Sequence, residues 1–186
     1  MSLVSWAHGV AARKLADSLP RRWAHVEGVA RQARRLQFVP EVDAELVEAA
    51  ALLHDIGYAP DLAVLGFHPV DGARYLASIG TSPRLVNLVA HHSAACHDAE
   101  PLDLAYLLDD YEDERTPERD ALWWADMTTG PDGETLTFIE RMTEVRSRYG
   151  AEHAVSKAID LSWSVRLGAV ERTEARLAAA QVKNAD

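Results

Sequence analysis

Apolar positions along the chain recur every three to four residues almost throughout, and no segment shows the strict alternation that a half-buried strand needs. Residues 2–18 predict a first helix. Pro20 suits the first position of a second, running to residue 38, in which His25, Val29 and Leu36 fall on one stripe. Asp43 is the expected N-cap of a third helix that ends near residue 56, with Gly57 as its stop and with Val47, Ala50 and His54 on one face. His68-Pro69 and Ser82-Pro83 start the next two, and His68 is expected to be extended because a proline follows it. The first of these ends near Gly80, and the second carries Leu85, Leu88, Val89 and His92. Thr116-Pro117-Glu118 opens a helix with Leu122, Trp123 and Asp126 that Gly130-Pro131-Asp132-Gly133 stops. Two more are expected over residues 135–149 and 151–181, followed by a frayed tail at 182–186. Residues 93–116 show the weakest pattern, and the run from Asp109 to Arg115 reads as a solvated loop or lid. The fold class is therefore all-α, a single-domain helical bundle over residues 1–186. Trp163, Val165, Leu167 and residues 177–180 suit completion of the monomer core better than a dimer seam, so monomer and homodimer both stay open.

Composition narrows the possible partners. Lys plus Arg is 19 against 29 Asp plus Glu, a net charge of −10, so no basic excess exists to bind nucleic acid or an anionic membrane. An anionic substrate would need local positive charge from metals or a few arginines. The single cysteine, Cys96, excludes an intramolecular disulfide framework. No apolar run approaches the roughly 20 residues of a membrane span, and no secretion signal is evident at the N-terminus; a cytoplasmic location is expected.

The candidate chemistry centres on His54-Asp55, which closes the apolar run Ala49-Ala50-Ala51-Leu52-Leu53. Imidazole and carboxylate are the ligands that divalent cations take near neutral pH. His25 precedes the pair, and His68, His91, His92 and Asp126 follow it, each on or at the edge of a predicted helix. A lone histidine on an apolar face is more often an ordinary core group, so the set carries the argument. His92 shares its stripe with apolar residues and is expected to point inward. His91 is expected to face solvent, or else to support the ligands or replace one. Asp126 lies on an apolar face where an unpaired carboxylate would be costly. Asp71 is positioned to hold the second ring nitrogen of His68, or to serve as a first-turn helix acid. Arg21 and Arg22, one turn before His25, are candidates to orient phosphate oxygens or to form a solvated helix start. Thr128, Thr129, Gly130 and Asp132 are expected near the pocket rim. His8, His97 and His153 lack comparable context.

The ordered set His25, His54-Asp55 and Asp126 resembles the HD superfamily of metal-dependent phosphohydrolases, over roughly residues 20–130. With His68 and His92 added, it is similar to the six-ligand subset that binds two metals. The resemblance implies one ion on His25, His54, Asp55 and Asp126 and a second on His68 and His92, with Asp55 bridging. It implies two divalent cations per chain (Fe, Mn, Co, Ni or Zn) and a hydroxide nucleophile; Asp55 and, from its place one turn before His25, Arg22 are the expected catalytic residues. The Gly-Tyr-Pro signature of cyclic-dinucleotide hydrolases is absent after His91-His92. The short bacterial hydrolases of dinucleoside polyphosphates share this ligand order and a similar size. These features predict hydrolysis of a small phosphorylated metabolite, a nucleotide in the first instance. A di-iron oxygenase cleaving a C–C or C–P bond and a non-catalytic ligand-binding module are the alternatives.

Overall fold

A computed structural model describes residues 1–183 as a helical bundle, and among these residues the only β-type pairing is an isolated bridge between Thr129 and Thr135. The helices are α1 (Leu3–Leu15), α2 (Pro20–Arg34), α3 (Ala44–Leu53), α4 (His68–Ser78), α5 (Pro83–Ala90), α6 (Ala95–Ala99), α7 (Pro117–Met127), α8 (Phe138–Tyr149) and α9 (Ala154–Lys183). Helix α3 sits at the centre. Every residue from Leu46 to Leu53 is buried, and its three consecutive alanines let α1, α2, α5 and α7 close around it. Long α9 packs along α7 and also covers α6 and α8. Leu177 and Ala180 are buried there and Trp163 packs edge-on to Phe138, whereas Val165 faces solvent. The described part of the expected tail continues α9 to Lys183; residues 184–186 lie outside the described region.

Several boundaries differ from those the periodicity predicts. The second helix tightens into a 3₁₀ turn over Arg35–Phe38. Helix α8 begins at Phe138 because Thr137 and Glu140 form a reciprocal capping box, while Thr135 is held in the bridge to Thr129. His68 is not an extended residue ahead of α4 but its first residue. Residues 92–108 fold into short helical turns, and the run from Asp109 to Arg115 is a loop as expected, tied down by ion pairs, Asp113 to Arg119 (2.7 Å) and Glu114 to Arg84 (2.8 Å).

The largest departure is at the end of α3. The helix stops at Leu53, and Asp55 adopts φ −98°, ψ 10° before a 3₁₀ turn over Ile56–Tyr58. Gly57 explains the break, since a Cβ there would lie 2.0 Å from the His68 carbonyl oxygen and 2.6 Å from the Gly72 nitrogen. Glycine thus acts as more than a helix stop, because it lets the backbone of α4 approach the end of α3. Gly57→Ala is expected to destabilise the protein by roughly 1–3 kcal/mol, since backbone atoms must move to admit the methyl group. Thermal unfolding should show this as a midpoint lower by about 2–12 °C.

Candidate metal centre

Most of the clustered side chains come from helix ends. His54 is the C-cap of α3 and Asp55 follows it, His68 opens α4, and His92 lies just beyond α5. His25 and Asp126 project from α2 and α7. Two groups result: the ligand atoms of His25, His54 and Asp126 lie within 4.8 Å of one another, as do those of Asp55, His68 and His92.

Asp55 connects the groups. Its Oδ2 is 3.4 Å from His54 Nε2 and 3.9 Å from His25 Nε2. Its Oδ1 is 3.3 Å from His68 Nε2 and 3.8 Å from His92 Nε2. Three rings are oriented by backbone carbonyls at Nδ1: His25 on Gly130 (3.0 Å), His54 on Ala51 (2.7 Å) and His92 on Val89 (2.6 Å). A carbonyl only accepts, so each Nδ1 carries the proton, and in the neutral ring Nε2 is left as a donor of its lone pair. The Nε2 of His54 is fully buried and has no hydrogen-bond partner. A divalent cation would satisfy that orphaned nitrogen, so the residues present fit a metal site on geometry as well as on residue type.

The electrostatics agree. Burial would push the Asp55 carboxyl up, but Arg22 (Nη1 to Oδ2, 2.6 Å) and His54 hold it well below the ordinary carboxylate range. Asp126 also stays low against burial, through its hydrogen bond with His25 (3.0 Å) and the charge on His54. For His54, burial lowers the pKa, but Asp55 and then Asp126 outweigh it and raise the group to about 9. His92 is lowered to about 3 by burial and by the neighbouring His68 and His54. Two buried carboxylates therefore draw positive charge to this point, which protons supply in part when no cation is bound.

The other residues singled out by sequence fall in different places. Arg21 points away from the clusters to form an exposed pair with Asp132 (2.8 Å). His91 is buried, not solvent-facing; its Nε2 lies 2.8 Å from the Tyr111 carbonyl, away from both groups, and its own carbonyl accepts from Trp123 Nε1. Asp71 does not hold His68. Both its oxygens accept from the Leu65 N–H (2.9 and 3.2 Å), which fixes the loop before α4. The hydroxyls of Thr128 and Thr129 bond back onto α7 carbonyls instead of rimming the pocket, whereas Gly130 reaches the site through its carbonyl.

Two contributors were missed. Tyr58 stacks on His68 (ring centres 4.0 Å apart, 18° between planes) and carries the Arg22 guanidinium 4.0 Å from its ring centre. Ser93 donates its hydroxyl to Asp126 Oδ2, leaving Oδ1 toward the histidines. Ser93 and Ala94 both have left-handed backbone (φ 51° and 60°), a conformation that side chains disfavour and that persists where surrounding structure enforces it. An aromatic directly after the glycine of the dyad was a visible signal for Tyr58. Nothing in the residue types around Ser93 announces such a turn.

The helical fold brings together two His/Asp clusters that could each hold a divalent cation. A family model for the HD domain matches residues 22–127, more than half the chain, and the chain belongs to the HD-domain family. HD domains bind divalent metals, and most of the superfamily are metal-dependent phosphohydrolases. Comparisons with curated proteins and with solved structures gave no significant match. Among the described residues no helix is long and apolar enough to cross a membrane.

Two expectations follow from the titrations. In the metal-free protein, His54 favours folding below its ordinary 6.5, and that contribution is lost as pH rises toward about 9. His92 acts oppositely: the unfolded chain takes up its proton first as pH falls from 6.5 toward about 3, so stability declines there. Thermal unfolding of metal-free protein should therefore show maximal stability near neutral pH with losses on both sides. Metal uptake needs neutral His54, so below pH 9 it should release a proton and tighten by about tenfold per pH unit. Calorimetric titration in buffers of different ionisation heat measures both.

Proposed function

We propose that this protein is a metal-dependent phosphohydrolase acting on a small phosphorylated metabolite, a nucleotide in the first instance. One observation carries the reading: a single buried carboxylate, Asp55, turns one oxygen to each of two ligand groups and shares that position with an arginine. His25, His54 and Asp126 would hold one cation, His68 and His92 a second, and Asp55 would contact both. When bound, such ions supply Lewis acidity toward a phosphoryl oxygen and lower the pKa of water to about 7.

The chain's own groups account for the remaining requirements. Arg22 lies at the cavity wall beside Asp55, where its planar fork can take phosphoryl oxygens in place of the carboxylate. Stacking on Tyr58 limits the guanidinium and the His68 ring to one orientation, so little side-chain freedom is lost on binding substrate. The cavity above the clusters measures about 270 Å³, enough for a phosphoryl group and part of an organic moiety.

Metal analysis by mass spectrometry, paired with a phosphate-release panel of nucleotides, tests the proposal. Wild-type protein should carry close to two divalent ions, His68→Ala close to one and Asp55→Ala none, with phosphate release abolished in Asp55→Ala. Arg22→Lys should retain metal and lose roughly 10–100-fold in kcat/KM, because a point charge cannot reproduce the forked contact. Oxygen consumption by an iron-loaded form without phosphate release would replace the hydrolase reading with the oxygenase. Bound metal without either activity would leave a binding module.

A further inference from the structure

The family match ends at residue 127, yet the cavity does not: its far wall is built from α8 and the start of α9, including Arg141, Met142, Val145, Arg148 and Tyr149. Four arginines border this one cavity, Arg22, Arg141, Arg148 and Arg166, in a chain whose net charge is −10. They are not equally committed. Arg166 is neutralised by Asp98 (2.6 Å) and also donates to Ser162 (2.6 Å). Arg22 is paired with Asp55. Arg141 and Arg148 share a single carboxylate, Glu144: Arg141 donates to it at 2.6 Å, while Arg148 contacts it at 3.3 Å.

Arg141 also faces Asp126, so once Asp126 serves a cation the two arginines have one carboxylate between them. Arg141 is buried, and its Nη2 stands 4.0 Å from Asp126 Oδ1, at the edge of the metal centre. Arg148 is two turns further along the same face of α8, about 10 Å along the axis. The two therefore form a cationic track from the clusters outward. Both also border the adjoining hollow of about 320 Å³ lined by Leu19, Pro20 and Pro131. Arg141 is buried and Arg148 exposed, so the pair runs from the cavity interior to its mouth, with both side chains at its lining.

We propose that Arg141 and Arg148 form a second anion subsite, with Glu144 as its resident counter-ion, for a ligand carrying a further phosphoryl or carboxylate group beyond the one at the metals. The proposal deepens the phosphohydrolase reading and rests on it for the first anion. Guanidinium groups suit either anion through forked hydrogen bonds, and binding would draw Arg148 from its loose contact with Glu144.

Calorimetric titration of the Mn²⁺-loaded protein with inorganic phosphate, inorganic tripolyphosphate and 3-phosphonopropionate provides the test, with metal content assayed after each run. At least one two-ended probe should bind wild type about tenfold or more tighter than phosphate does, the scale of one charged hydrogen-bonded contact. A margin for tripolyphosphate alone assigns the subsite to phosphoryl groups; a margin for both probes assigns it to anions generally. Arg148→Gln should erase the margin while leaving phosphate affinity nearly unchanged, and Glu144→Gln should widen it. Those opposite signs separate a ligand contact from a helix-stabilising triad, and Glu144→Gln with Arg148→Lys carries the test if Arg148→Gln folds poorly. No margin in wild type, or an unchanged margin in Arg148→Gln, would overturn the proposal. Phosphate release measured on the same protein keeps the two claims apart: a preserved margin without turnover removes the hydrolase and leaves the subsite.

Discussion

An ionised carboxylate inside a protein must find compensating charge, and the Asp55 carboxylate finds it in Arg22 and the His54 ring, with a hydrogen bond from His68. Arg22 reaches it from α2, the His54 ring stands beside it, and His68 and His92 face its other oxygen from the ends of α4 and α5. Much of the local architecture follows from that convergence. The central helix has to stop short so that His54 and Asp55 can diverge, and α4 has to come close enough to bring in His68. Gly57 permits both, since its missing side chain is the space that the α4 backbone occupies.

The helices themselves were largely legible in the sequence, because caps and proline starts leave a chemical mark at specific residues. Asp43 caps α3 by accepting from the Leu46 N–H, and Thr116 caps α7. The capping box of Thr137 and Glu140 is equally visible there, and it places the start of α8 three residues later than the periodicity does. The residue types of the two clusters were legible too, but their placement was not a matter of helical stripes. His54, Asp55, His68 and His92 converge from helix termini, where direction depends on how the chain leaves the helix, and periodicity does not encode that. For the same reason the burial of His91 against the Tyr111 carbonyl and the attachment of Asp71 to the Leu65 N–H could be found only from the folded chain. The left-handed pair Ser93-Ala94 is the extreme case, since neither residue type favours that backbone and tertiary packing must impose it.

The cavity combines parts of two origins. Its floor, with the histidines and aspartates, falls within the HD match, whereas the wall presented by α8 and α9 lies beyond it. The wall is tied to the floor through side chains: Arg141 stands near Asp126, and Arg166 reaches back to Asp98 on α6. Such links fix the cavity's shape without the wall contributing any of the clustered ligand atoms.

Three of the clustered histidines take their orientation from main-chain carbonyls, those of Gly130, Ala51 and Val89. A carbonyl belongs to every residue type, so replacing Ala51 or Val89 by another helix-compatible residue keeps the acceptor in place. The alignment of these rings is therefore inherited with the course of the chain and does not depend on retaining particular supporting side chains. Mutations can accumulate around the rings, and the α8–α9 wall can be recast toward other molecules, while the ring nitrogens keep their aim.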